Sequence, residues 1–259
     1  IEKGFESVTI GAVEKHITET AFDNGWVKPI APKIEKEYSV GIIGSGPAGL
    51  AAADLLRRKG YQVIVYDRYD RVGGLLIYGI PGFKLEKEIV IRRHELLEQG
   101  GVHFQLECEI GRDISFTDLQ EKHDAVLIAT GVYKARDIDL VGSELKGVVP
   151  ALDYLIASNR KSLGDDVPSF NEGTLNAASK NVVVVGGGDT AMDCVRTAIR
   201  QNAKSVTCLY RRDRANMPGS QREVQNAEEE GVNFQWLSAP TQFSGEGKVS
   251  SVRAQRIHL

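Results

Sequence analysis

Apolar and polar positions change rhythm along this chain, and each change marks a new element. Over 8–24 the apolar residues Ile10, Val13, Ile17 and Ala21 recur at near-helical spacing, which predicts an amphipathic helix, and Gly25 is suited to the left-handed turn that ends one. Pro29 and Pro32 then fall among charged residues over 28–37, which disfavours regular structure and predicts a connecting segment. Short apolar runs follow, separated by helical patterns. A buried strand is predicted over 39–43, a helix over 47–59 stopped by Gly60, and a second strand over 62–66, which together make a βαβ unit. A helix over 85–99, a strand over 102–106 and a buried strand over 125–129 continue the alternation that an α/β fold requires. A polar, glycine-bearing loop is predicted over 159–181, with 147–158 as part of a crossing between domains. The pattern then restarts as strand 182–185, helix 190–201 and strand 205–210. A last strand over 248–257 ends near Leu259.

The two βαβ patterns carry matching glycine motifs. In the first, Gly44, Gly46 and Gly49 fill G-x-G-x-x-G between strand and helix. The first glycine permits the tight turn, the second lets a pyrophosphate approach the backbone and the third lets helix pack on strand, with the helix N-terminus facing the phosphates. Asp67 ends the second strand, 18 residues past Gly49, where a carboxylate binds ribose hydroxyls. Glycine-rich turns also serve plain packing, so it is the combined context that predicts a dinucleotide site. In the second motif Gly186, Gly188 and Ala191 fill G-x-G-x-x-A, with Asp189 and Thr190 between. Its second strand ends in Arg211 and Arg212, which suit the 2′-phosphate of NADPH; the alternative is a solvated basic turn, partly neutralised by Asp213. A carboxylate at Asp189 would repel a pyrophosphate unless turned away, and helix capping is its expected role. Ser220 with Glu223 predicts a capping box for a helix through Glu230. Gly73-Gly74 followed by Leu75 offers a tight backbone close to Asp67 or an ordinary loop turn, and Thr130-Gly131 ends its strand in the manner of the flavoprotein crossover segment.

Composition narrows the partners. The 259 residues suffice for two compact domains, and 32 basic against 35 acidic residues give a net charge of -3, which is no footprint for nucleic acid or a membrane surface. No apolar run approaches the length of a membrane span. Cys108, Cys194 and Cys208 are too widely spaced for a C-x-x-C pair or a metal cluster, so no metal site is assigned and a reducing, cytoplasmic setting is expected. His16, His94, His103, His123 and His258 stand singly, and no catalytic side chain is assigned. The start at Ile1 and the stop within a strand suggest a piece of a longer polypeptide.

The glycine motifs, together with Gly73-Gly74-Leu75-Leu76 running on to Gly79-Ile80-Pro81-Gly82-Phe83-Lys84-Leu85, and Tyr210-Arg211-Arg212-Asp213 running on to Asn216-Met217-Pro218-Gly219-Ser220, closely resemble the small-subunit family of NADPH-dependent glutamate synthases. The resemblance spans nearly the whole chain and extends to the reductase portion of dihydropyrimidine dehydrogenase and to ferredoxin:NADP oxidoreductases. It implies two Rossmann-like dinucleotide domains, an FAD domain into which an NADPH domain is inserted, after a short helical segment: 1–37 helical segment and linker, 38–158 FAD unit, 159–259 NADPH unit. It places Gly44, Gly46, Pro47, Ala48, Gly49, Asp67, Gly74, Leu75 and Lys84 at FAD, with the Ile110 backbone near adenine. It places Gly188, Asp189, Thr190, Arg211 and Arg212 at NADPH. It further implies hydride transfer from NADPH to FAD and electron flow through iron-sulfur clusters to a glutamate synthase large subunit. The family's cluster-ligating cysteines and the segment that completes its FAD domain have no counterpart in these residues.

Lys84 is open to three roles: stabilising charge on reduced flavin, anchoring a phosphate or meeting solvent. Two rivals stand beside the main reading. A disulfide reductase of the thioredoxin-reductase kind needs a cysteine pair that the spacing does not supply. A non-catalytic nucleotide-binding module would bind the cofactor without passing electrons.

Overall fold

The computed structural model describes residues 9–134 and 138–258. The first element, α1 (Ile10–Asp23), matches the predicted helix, with Val8 outside the described residues, and Gly25 at φ 64° makes the left-handed turn after it. No residue of α1 is buried. Arg92 of the first unit pairs with the helix's Glu19 at 2.9 Å and lies over its Phe22 ring.

The first unit is a parallel sheet of β1 (Ser39–Ile43), β2 (Gln62–Tyr66), β3 (Val102–Gln105) and β4 (Ala125–Ile128), with α2 (Pro47–Arg58), α3 (Leu75–Tyr78), α4 (Lys87–Gln99) and α5 (Phe116–Lys122) between the strands. The strand order is β3-β2-β1-β4, with every pairing parallel. Burial on both faces explains why β1 and β2 read as continuous apolar runs. Val40, Ile42, Val63 and Val65 pack with Leu50 and Ala53 of α2 on one side. Tyr66 and Leu119, with Ile43, Ile64 and Val126, close the other. The predicted buried strand at 125–129 is corrected here. β4 pairs only with β1 and forms the sheet's open edge, so Leu127 is 40% and Ile128 63% exposed.

The second unit begins with α6 (Ala151–Ser162) and α7 (Pro168–Asn171), then sets β5 (Asn181–Val185), α8 (Asp189–Arg200), β6 (Ser205–Leu209), α9 (Gln221–Glu229) and β7 (Asn233–Gln235) into a parallel sheet ordered β5-β6-β7. Met192, Val195 and Ala198 of α8 pack on Val206 and Cys208, and Tyr154 and Leu155 of α6 join the same core. The expected crossing over 147–158 and loop over 159–181 are therefore partly helical, and a boundary at 158 cuts α6. A hairpin of β8 (Ser238–Ser244) and β9 (Ser251–Arg256) follows, covering the predicted strand at 248–257, with Leu259 outside the described residues. This hairpin returns to the segment leaving the first unit: the Phe243 N–H donates to the Val141 carbonyl at 2.9 Å, and Lys146 bridges Lys248.

Candidate functional site

The first glycine turn sits where the strand order reverses between β1 and β4, the usual place of a nucleotide crevice in an open parallel sheet. Gly44 has φ 106°, and a Cβ there would overlap the Ala129 carbonyl, with Thr130 Cα 3.2 Å away. Thr130-Gly131 is thereby seated directly on the turn. A Cβ on Gly49 would overlap the Gly44 carbonyl oxygen, so the third glycine is fixed by helix-to-strand packing. Gly46 differs from both. It caps α2, Pro47 and Ala48 beside it are exposed, and nothing lies within 4 Å of its would-be Cβ. The turn thus leaves open space at the N-terminus of α2, where unpaired N–H groups suit a phosphate.

Asp67 is 8% exposed and already held. Its Oδ2 accepts from the Ser45 N–H at 2.7 Å and the Ser45 hydroxyl at 2.5 Å, and its Oδ1 accepts from the Tyr69 N–H at 2.9 Å. A carboxylate offers about four acceptor positions, so three of them fix the turn and one is left for a ligand hydroxyl. Sequence reasoning missed Ser45, although its place between two motif glycines was the signal. Gly74 has φ 53° and a would-be Cβ 2.8 Å from Gly46 Cα, while the Gly73 N–H donates to the Ser45 carbonyl at 3.1 Å. The double glycine thus lies against the first turn, with Leu75 opening α3. Tyr133, 3.6 Å from the same point, belongs to this crevice too, and burial pushes its phenol up to about 12. Ile110 is half-buried and packs against the cluster of Tyr66, Cys108 and Leu119.

The second turn repeats the device. Gly186 has φ 146°, its would-be Cβ 3.5 Å from Ala191 Cβ, and Gly188 caps α8 with nothing within 4 Å. Thr190 is exposed beside it. Asp189 does not cap α8, which corrects the capping expectation: its Oδ1 accepts from the Ser220 N–H at 3.1 Å, turning the carboxylate towards the next loop. The capping box fails as well. The Ser220 side chain caps nothing, and Glu223 is drawn instead to Arg196 at 2.6 Å. Arg211 and Arg212 follow β6 and are exposed, and among the described residues neither enters an ion pair. Asp213, next in sequence, accepts at Oδ1 from the Asn216 N–H and side-chain amide, each at 2.8 Å.

Lys84 stands apart from the first turn. Its Nζ donates to Asp193 Oδ1 at 2.7 Å, so the residue expected at the first site reaches α8 of the second unit. Burial pushes the Asp193 carboxyl above the usual carboxylate range, and Lys84 pulls it back in part. All three cysteines are buried and unpaired; burial raises the Cys108 and Cys194 thiols and pushes Cys208 up to about 12. Among the described residues no cluster of ligands suited to a metal occurs, and no helix is long and apolar enough to cross a membrane.

Comparison with known proteins agrees with this geometry. The profile of the pyridine nucleotide-disulphide oxidoreductase family matches residues 38–257. The NADPH glutamate synthase small chain of Azospirillum brasilense is 66% identical over 98% of this chain and 52% of that protein. The putative NADPH glutamate synthase small chain of Cereibacter sphaeroides is 65% identical over 100% of this chain and 62% of that protein. The chain thus spans about half to two thirds of the length of these relatives. Mycobacterium tuberculosis FprA in complex with NADPH superposes with a TM-score of 0.72 at 18% identity, over 85% of this chain and 64% of FprA. Lactococcus lactis thioredoxin reductase gives 0.60 at 25% identity, over 85% of this chain and 72% of that one.

Proposed function

Since the chain belongs to the pyridine nucleotide-disulphide oxidoreductase family, we propose that its first unit holds FAD, its second holds NADPH, and that it serves to pass a hydride from the second to the first. One observation carries the reading. Two glycine turns each leave an open cradle at a helix N-terminus, and the strands beside them end in opposite charge, Asp67 in one and Arg211-Arg212 in the other.

Bound nicotinamide and flavin supply the two-electron chemistry themselves, so no acid, base or nucleophile is demanded of the protein. The chain's own residues bind and orient. Gly44, Gly46, Pro47, Ala48 and Gly49 with Gly74 and Leu75 form the cradle of the first site, Asp67 takes a ribose hydroxyl, Thr130-Gly131 closes the crevice and the Ile110 backbone meets the adenine end. Gly186, Gly188, Thr190 and Ala191 form the second cradle, with the Asp189 backbone beside them and its carboxylate turned away. Arg211 and Arg212 would take the 2′-phosphate by charged hydrogen bonds. Lys84 is assigned to the contact between the units.

The identity to glutamate synthase small chains supports a place in glutamate formation, with a large subunit as electron acceptor through iron-sulfur clusters outside these residues. Buried, unpaired thiols support a reducing, cytoplasmic setting and speak against a disulfide-reductase reading. The test is a polypeptide carrying this chain at the full length of its relatives: purified with FAD, it is expected to be yellow and to bleach on adding NADPH without oxygen. A well-folded protein that stays colourless after FAD is added overturns the proposal.

A further inference from the structure

The loop over 79–86 joins α3 to α4 within the first unit and reaches the helices of the second. Its Phe83 ring lies beneath the Arg196 and Arg200 guanidinium groups, 4.7 and 4.3 Å from the ring centre, and Lys84 Nζ reaches Asp193 Oδ1 at 2.7 Å with Glu223 Oε2 at 3.9 Å. Asp193, Arg196 and Arg200 stand three and four apart and so share one face of α8. That face is pinned: Arg196 is held by Glu223 at 2.6 Å and Glu230 at 2.7 Å, and Arg200 by Glu230 at 2.7 Å.

The other end of the segment is anchored on the first unit. Gly74 abuts Gly46, and the buried Lys87 ammonium donates to the Leu76 and Ile80 carbonyls. A second tie joins the units nearby, where Arg71 pairs with Asp165 at 2.6 Å and the Asn159 amide donates to the Tyr78 carbonyl at 2.8 Å. The segment 74–84 therefore touches the first glycine turn at one end and, at the other, the helix that springs from the second.

Exposed ion pairs contribute little to stability. Asp193 is another matter, being 6% exposed and satisfied at that oxygen by a lysine from the other unit. A buried charge of this kind stabilises poorly after its desolvation and is better suited to fixing geometry. Geometry is what transfer between two bound rings needs, since reacting atoms must come within about 3.5 Å and a misplacement of about 1 Å costs on the order of a hundredfold.

Resting on the function proposed above, we propose that Phe83 and Lys84 form a clasp that sets the orientation of the second nucleotide turn against the first, with Lys84 and Asp193 as positioning residues. The test uses the FAD-loaded full-length protein as wild type, Lys84→Met, Lys84→Arg, Asp193→Asn and the Lys84→Met/Asp193→Asn double variant. Four quantities are read: the bleaching rate at saturating NADPH, the Kd for NADP+, the flavin content, and deuterium uptake over 79–86 and 189–200 without nucleotide. Lys84→Met and Asp193→Asn are expected to slow bleaching about tenfold or more. Flavin content and NADP+ affinity are expected to stay within about twofold, while deuterium uptake over 79–86 rises. Lys84→Arg retains most of the rate, and the double variant is no slower than the slower single one, because the pair acts as a unit. Wild-type bleaching rates in both single variants, a matching loss of NADP+ affinity, or unchanged deuterium uptake would overturn the clasp. A wild-type protein that never bleaches overturns the two-nucleotide reading instead, and deuterium uptake then decides the clasp alone.

Discussion

Glycines in one motif are required for different reasons, and Gly46 and Gly49 separate them. Gly49 is needed by the fold, because a Cβ there would overlap the Gly44 carbonyl; Gly46 has open space where its own Cβ would stand and is needed on that side only if something occupies the space. Gly49→Ala is therefore expected to destabilise by about 3 kcal/mol through overpacking of helix on strand. Gly46→Val is expected to leave the melting temperature nearly unchanged without cofactor and to abolish flavin retention. Thermal unfolding with and without FAD checks both, and a Gly46→Val protein that keeps its flavin would show that no pyrophosphate approaches this turn. At this scale the glycines were legible from spacing alone. The grip of Ser45 on Asp67 was not, since it joins residues 22 apart through a side chain that the motif leaves free.

Whole elements were legible where a run of apolar residues is buried by its own unit. β1, β2 and α2 follow the predicted bounds closely, and the second motif gave β5, α8 and β6 in the same order. What failed did so for identifiable reasons. β4 carries the same apolar run as a buried strand but lies at a sheet edge, and pairing partners are not written in the run itself. α3 is one turn long, too short to show a period, and α6 divides its apolar residues between two cores, Tyr154 and Leu155 in one and Ile156 in the other. The end of β6 gives a sharper case, because Arg211 and Arg212 are exposed and lack ion-pair partners among the described residues, while the neighbouring Asp213 is engaged elsewhere. A charged hydrogen bond to a phosphate contributes about 1.5–3 kcal/mol, on the order of ten- to a hundredfold in affinity per arginine. Arg211→Ala with Arg212→Ala is expected to lower kcat/KM for NADPH by about a hundredfold or more, the two losses together, and leave NADH nearly untouched, and rising salt is expected to erode the wild-type preference because the pair is open to screening. Equal losses for both nucleotides would show that the arginines serve the loop and read no phosphate.

At the scale of the whole molecule, the described residues carry two glycine turns, each with open space at the N-terminus of a helix. The chain's three thiols are buried and raised, the opposite of activation. Among the described residues no group of side chains is suited to hold a metal ion. The proposed function divides the labour between this chain, which passes the hydride, and a large subunit, which forms glutamate. The full-length protein, purified without a large subunit, is expected to reduce artificial dyes from NADPH at a rate set by flavin reduction and to form no glutamate from glutamine and 2-oxoglutarate. Adding the large subunit is expected to start glutamate formation with NADPH consumed in step, while Gly46→Val, having lost its flavin, supports neither reaction. Dye reduction and glutamate formation measured side by side on the same preparations separate the two halves of the reading. Glutamate made by the isolated polypeptide would sink the division of labour, and dye reduction that survives the loss of flavin would remove the first nucleotide from the electron path.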